Sequence, residues 1–175
     1  MAATLRFLGI LNAAVWFGAA VFATLVAGPA FFSQAMLGLL GQAYAGAAAQ
    51  VMWQKYAILQ YCCGGIALVH LLLEWICSGR PFSRPALYLL LGMTLFMVWS
   101  GAWVQPRMKR LHLTIYSGRA TPAQTEQARK SFGYWHGFSM VANVMVLAGL
   151  GVYLWRVTRS VPTLRFVSQT KFQLE

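Results

Sequence analysis

Residues Phe7–Gly28 read FLGILNAAVWFGAAVFATLVAG and contain no formal charge. A helix of about 20 apolar residues crosses the roughly 30 Å hydrocarbon core of a bilayer, so this run is long enough to span it. Three further runs have the same character, at 56–77, 86–104 and 134–155, and among all four only Glu74 carries a formal charge. The pattern predicts four membrane spans.

The overall composition agrees with a single membrane domain. The chain is 59% hydrophobic and 10% charged, whereas soluble domains carry about 25% charged residues. Backbone polar groups in lipid must be satisfied within their own segment, so the spans should be helices. We therefore predict an all-α integral membrane four-helix bundle, with antiparallel spans and amphipathic connecting segments. We assign residues 1–157 to this domain and residues 158–175 to a basic polar tail.

The net charge of +11 comes from basic residues that lie almost entirely in the connecting segments and the tail. At these places Lys and Arg anchor helix ends and meet anionic headgroups. No nucleic-acid-binding motif accompanies the charge, so nucleic acid is not an expected partner. The expected partners are a lipid bilayer with anionic headgroups and either a second copy of the chain or another membrane protein. The basic residues divide evenly between the two sides, which leaves the orientation open. We expect a multi-pass protein of a bacterial inner membrane.

The segment between the first two spans begins with Gly28-Pro29, a pair that stops or kinks a helix. Residues 30–54 then follow without a charge and are rich in Ala, Gly and Gln. This composition predicts a short helix at the membrane interface.

The segment between the last two spans contains a second set of helix signals. Met108, Leu111 and Ile115 recur at helical spacing, which predicts an amphipathic arm that ends at Ser117-Gly118. Thr121-Pro122-Ala123-Gln124 has the form of a capping box, so the fourth helix should begin there. His112 lies within this basic segment and is expected to be solvated.

Polar and small side chains recur along one face of each span. We predict that these faces look into the bundle, because helices in lipid associate through small residues and interhelical hydrogen bonds. On the second span the face consists of Tyr56, Gln60, Cys63, Ala67, His70 and Glu74, and on the fourth it consists of His136, Ser139 and Asn143.

Five of these residues form a candidate intramembrane polar cluster: His70, Glu74, His136, Ser139 and Asn143. Ionisable residues within spans are costly and often functional, and two histidines on facing helices can hold haem or a metal. The structural alternative is that the polar groups only bond helices together. Glu74 lies one turn from the end of its span, where it can reach the headgroup region. Because they are the two histidines within the spans, His70 and His136 are the candidate ligands, but we predict no bound cofactor or metal.

No catalytic constellation is present. The acidic residues are Glu74, Glu126 and Glu175, too few for a carboxylate hydrolase or a two-metal site. We predict a membrane scaffold or partner subunit that is not an enzyme. The alternatives are a small oligomeric transporter or channel component and a haem- or metal-binding redox protein.

Several motifs resemble those of the transmembrane protein 205-like family, over about residues 5–157. They are Trp16-Phe17-Gly18, Gly28-Pro29 followed by Phe31, Gln105-Pro106-Arg107-Met108, and Phe132 to Asn143 with His136 and Ser139 between. The resemblance implies a small four-helix membrane protein without an established enzymatic activity. His136, Ser139 and Asn143 carry over as motif positions only.

Overall fold

Every regular element in the computed structural model, which describes residues 2–78 and 83–159, is a helix. The prediction of an all-α bundle is therefore confirmed. Two five-residue π turns, Ala23–Ala27 and Ser100–Val104, interrupt the α-helices. The α-helices are α1 (Ala2–Phe22), α2 (Gly28–Phe31), α3 (Gln34–Ser78), α4 (Arg84–Trp99), α5 (Gln105–Tyr116) and α6 (Pro122–Arg159).

Four helical stretches are long and apolar enough to cross a membrane, and each contains one of the four predicted runs. Their bounds are Ala3–Phe31, Gln34–Cys77, Arg84–Tyr116 and Pro122–Arg159. Most of the predicted tail, residues 160–175, lies outside the described residues, and Thr158 and Arg159 form the end of α6.

Hydrogen bonds between helices fix their antiparallel order. On α1, Asn12 Nδ2 donates to the Cys63 carbonyl of α3 at 3.0 Å, while the Leu5 carbonyl lies 2.9 Å from His70 Nε2. Increasing residue numbers on α1 thus meet decreasing numbers on α3. The Tyr61 hydroxyl of α3 donates to the Met97 carbonyl of α4 at 3.3 Å.

The centre of the bundle is apolar and closed. Trp16 of α1 is 0% exposed, and Leu90 of α4 and Leu150 of α6 are also fully buried. Trp16 packs edge-on against Tyr153, with ring centroids 6.3 Å apart. Large apolar side chains such as Phe7 cover the outer surface of the bundle, as expected for helices that face lipid tails.

The π turns explain how two helices continue past a proline. Proline has no N–H and its ring clashes with the carbonyl four residues earlier. The N–H of the residue before each proline donates to the carbonyl five residues earlier. Gly28 donates to the Ala23 carbonyl, and Gln105 donates to the Ser100 carbonyl. The first helix therefore widens and reaches Phe31, beyond the predicted end of its span at Gly28.

The second long helix differs most from the prediction. α3 has one non-helical residue, Gly41, with φ 69° and ψ 164°. From residue 42 the helix runs without a break to Ser78, so residues 42–54 continue the second span helix. The predicted interfacial helix over residues 30–54 is wrong for this part, because its Ala- and Gly-rich face packs against other helices.

Three helices are longer than a bilayer requires. α6 has 38 residues, which is about 57 Å at the α-helical rise, against a hydrocarbon core of roughly 30 Å. The helical stretch Arg84–Tyr116 and residues 42–78 of α3 also exceed this thickness. The excess parts pack together beyond the bundle, and we call them the extension: residues 42–52 of α3, α5, and residues 122–133 of α6.

The connection between α5 and α6 follows the sequence signals closely. α5 ends at Tyr116, and Gly118 has a φ of 67° in the break. The Gln124 N–H donates to Thr121 Oγ1 at 3.3 Å, and the Thr121 N–H donates to Gln124 Oε1 at 3.0 Å. The capping box is therefore formed, and the prediction that the fourth helix begins at this point is confirmed.

Candidate functional site

The predicted polar face of α3 does look into the bundle. Gln60, Cys63, Ala67 and His70 are buried, and Tyr56 and Glu74 are half-buried. The opposite face is exposed, with Leu59, Ile66, Leu73 and Ile76 on the surface. Helical spacing alone was enough to orient this helix.

His70 has a structural partner on the neighbouring helix. Its ring packs against Gly9, where a Cβ would collide with the imidazole. Its Nε2 lies 2.9 Å from the Leu5 carbonyl, so a protonated Nε2 donates to that oxygen. This bond uses a backbone carbonyl at the start of α1 and accounts for the buried imidazole.

Other polar groups gather at the same end of the bundle as His70. Glu74 is one turn further along α3 and lies near Tyr153 of α6. An Arg6 guanidinium nitrogen donates to the Thr158 carbonyl at 3.5 Å. The Arg6 hydrogen bond joins the start of α1 to the end of α6.

The three predicted residues of α6 do not all face the interior of the bundle. Asn143 Nδ2 donates to Thr24 Oγ1 at 2.6 Å, and Ser139 is half-buried, so both belong to the inner face. His136 is exposed and stacks on Phe132, with ring centroids 6.0 Å apart and an interplanar angle of 7°. His136 therefore does not share the inward face.

The structure places His70 and His136 at opposite ends of the bundle. His70 lies level with Leu5 on α1, whereas Thr24 of α1 lies level with Asn143 of α6. His136 is a further two turns beyond Asn143, so the two imidazoles are on the order of 40 Å apart along the helix axes. The five cluster residues do not form one site, and the two histidines do not fit a shared haem or metal. Within residues 2–78 and 83–159, no three His, Cys, Asp or Glu side chains are grouped to hold a metal ion.

His112 is the centre of the extension, and the expectation that it is solvated is wrong. Its side chain is 8% exposed and lies between the aromatic rings of Tyr116 and Phe132, at centroid distances of 4.8 and 6.4 Å. On the α3 side it meets Gly46, where a Cβ would lie 2.5 Å from His112 Nε2. The missing side chain at Gly46 makes room for the ring, and it was the one signal of this contact in the sequence.

A groove of about 490 Å³ runs along the extension between α5 and α6. Its lining is mainly polar and uncharged, with Leu111, Thr114, Gln124, Gln127, Ala128 and Ser131. At the end nearest the bundle, the Arg107 guanidinium carbon lies 5.1 Å from the centroid of the Trp135 ring, a cation–π contact. Neither residue of this pair was among the predicted site residues, although Arg107 stands directly after Gln105-Pro106.

Comparisons with known proteins identify the family but no function. No curated protein and no solved structure matches the chain. Residues 11–117, from α1 to the end of α5, match the model of a domain of unknown function, DUF4149. The matched region covers more than half of the chain, and the protein therefore belongs to the DUF4149 family.

Proposed function

We propose that the protein is a non-enzymatic multi-pass membrane protein that acts as a scaffold or partner subunit. The observation that carries this proposal is the apolar closure of the bundle by Trp16, Leu90 and Leu150. A transport path through one copy would have to pass this layer. The inward polar groups already bond one helix to another, as Asn143 does to Thr24.

Two further proposals concern the family group of the protein and the membrane in which it lies. Gln105-Pro106-Arg107-Met108 and the segment from Phe132 to Asn143 resemble motifs of the transmembrane protein 205-like family. On these motifs we propose that the chain is a member of that group. Exposed Arg and Lys residues on the extension support a membrane with anionic headgroups, and a bacterial inner membrane is the location we propose.

A flux measurement tests the closed bundle. The purified chain is reconstituted into liposomes loaded with a pH-sensitive dye, and proton and potassium movement is followed under an imposed gradient. We expect rates equal to those of protein-free liposomes. A gradient-driven flux that scales with the amount of protein would contradict the proposal.

The scaffold role needs a separate test in native membranes. A photo-crosslinking amino acid at Met145, which is exposed on α6, should give a discrete adduct with another membrane protein. Leu95, exposed on α4, provides the matched control on another face. Equal and diffuse labelling at both positions would count against a defined partner.

The second candidate is a small transporter component assembled from several copies of the chain. It is favoured by an open groove of about 420 Å³ on α6, lined by Gly133, Tyr134, Gly137, Phe138 and Val141. A Cβ at Gly133 or Gly137 would meet no atom within 4 Å, so these glycines serve no contact within one copy. If the liposome assay shows flux and cross-links join two copies through Met145, this candidate replaces the scaffold.

A further inference from the structure

We propose that the groove between α5 and α6 is a binding site for the phosphorylated headgroup of an anionic phospholipid. In this site Arg107 contacts the phosphodiester, and the polar side chains of the groove bond the remaining headgroup. The site is a more specific form of the general attraction to anionic lipid proposed above, and it rests on that placement of the chain in a bilayer.

Arg107 lies beside Trp135, where the extension meets the bundle. Trp135, the residue it contacts, follows Tyr134 at the bundle end of the extension and lies next to Phe138, which in turn packs against Trp99 of α4. Trp and Tyr gather at the headgroup level of membrane proteins. The Arg107 guanidinium is therefore placed where lipid phosphates lie, and the Trp135 ring holds it there.

The contact between Arg107 and Trp135 is adjacent to the groove. Leu111 follows Arg107 by one helical turn, and Ser131 precedes Trp135 by one turn, so the pair Arg107–Trp135 lies one turn beyond the groove lining, on the side of the bundle. From there the groove leads away from the bundle. A headgroup whose phosphate meets Arg107 thus extends towards Ser131, the lining residue one helical turn away.

Most of the groove lining is polar but uncharged. Thr114, Gln124, Gln127 and Ser131 offer hydroxyl and amide groups, which both donate and accept hydrogen bonds. Such groups suit a headgroup with hydroxyls better than a bare ion. Between residues 105 and 133 the only carboxylate is Glu126, which lies 3.7 Å from Lys130. An anion therefore enters a region of positive potential.

Native mass spectrometry of the full chain in detergent provides the test, with dioleoyl-phosphatidylglycerol and dioleoyl-phosphatidylcholine as probes. We expect one phosphatidylglycerol molecule to be retained preferentially. Arg107→Gln should lower its affinity by about tenfold, the effect of losing one charge-assisted contact. Arg129→Gln is the matched control, because it removes an exposed positive charge of α6 outside the Arg107–Trp135 pair, and it should change affinity less than twofold.

A second variant, Ser131→Leu, fills the groove without altering charge and should also weaken retention. Equal losses in Arg107→Gln and Arg129→Gln would leave only a diffuse attraction to anionic lipid and overturn the site. Equal retention of both lipids would overturn the proposal as well. If soluble glycerol 3-phosphate displaces phosphatidylglycerol at equal concentration, the site holds a free phosphate ester and the lipid assignment is wrong. None of these results alters the flux and cross-linking tests of the scaffold role.

Discussion

The bundle and the extension are built from the same helices but differ in their outer surfaces. In the bundle, large apolar side chains cover the outside, and the inside combines an apolar core around Trp16 with the polar contacts of His70. In the extension the outer surface carries exposed basic residues, and the inside contains Ala45, Ala49 and Ala128 around His112. The difference in outer surface is what two solvents demand, because lipid tails accept apolar surface and water accepts charge.

The largest expected effect is on the centre of the bundle. Trp16→Ala removes a fully buried indole and should lower the free energy of unfolding by about 3 kcal/mol, the low end for such a cavity because lipid also solvates the indole in the unfolded chain. Reversible unfolding in mixed micelles measures it. Phe22→Ala, at an exposed position one to two turns away on α1, is the control and should have little effect. Similar losses in both variants would show that the bundle has no specific core at Trp16.

The next effect should be confined to the extension. Gly46→Ala places a methyl group 2.5 Å from His112 Nε2, and overpacking of this kind costs roughly 1–3 kcal/mol. We expect faster amide hydrogen exchange in α5 and unchanged exchange in α1. His112→Ala in the same chain should restore much of the protection of α5, because it removes the atom that collides.

A change of exchange spread evenly over α1 and α5 would mean that the extension does not unfold separately from the bundle. Gly38→Ala supplies the control, since a Cβ there meets no atom within 4 Å. It should leave exchange in α5 unaltered.

The start of α6 should show a smaller, local effect. Thr121→Ala removes the hydroxyl that accepts the Gln124 N–H but keeps the backbone N–H that donates to Gln124 Oε1, and loss of an N-cap side chain costs about 1 kcal/mol. Hydrogen exchange should accelerate in the first turns of α6 and nowhere in the bundle. Protection that is unchanged after Thr121→Ala would show that packing against α5 alone holds this end.

The bond between Asn143 and Thr24 should give the smallest effect. Interhelical hydrogen bonds in membranes contribute about 0.6 kcal/mol on average. A double-mutant cycle of Asn143→Val and Thr24→Val, measured by unfolding, should return a coupling energy of this size. A coupling of zero would mean that the 2.6 Å contact does not stabilise the bundle.

The sequence was sufficient for features that local chemistry decides. The four apolar runs, the inward face of α3 from Gln60 to His70, and the capping box at Thr121 all follow from spacing and side-chain type. Each depends on one helix and its solvent. The extent of the first two helices could be predicted only in part, because a π turn lets a helix pass Pro29 and because residues 42–54 have no apolar period.

The contents of the sites were much harder to predict. His112 looked solvated because its neighbours in sequence are basic, yet Gly46, Tyr116 and Phe132 enclose it. His70 and His136 looked like partners because both lie near polar residues on apolar helices. Which end of a neighbouring helix each one meets depends on how the helices align along their axes, and no single helix specifies that alignment.

The family match covers only some of the segments discussed above. It covers residues 11–117 and stops before α6. The segment from Phe132 to Asn143, on which the resemblance to the transmembrane protein 205-like family depended most, therefore lies outside the matched region. Arg107 and the π turn before it lie within the matched region.

The most direct test asks whether the bundle lies in lipid and the extension lies in water. Both positions to be compared are on α6. A spin label is attached at Val144, exposed on the bundle part of α6, and another at Arg129, exposed on the extension part, each in a chain without other cysteines and reconstituted in liposomes. Relaxation by oxygen reports contact with lipid tails, and relaxation by a water-soluble nickel complex reports contact with water. We predict that oxygen dominates at Val144 and nickel at Arg129. The same ratio at both positions would contradict the division of the molecule into a bundle in lipid and an extension in water.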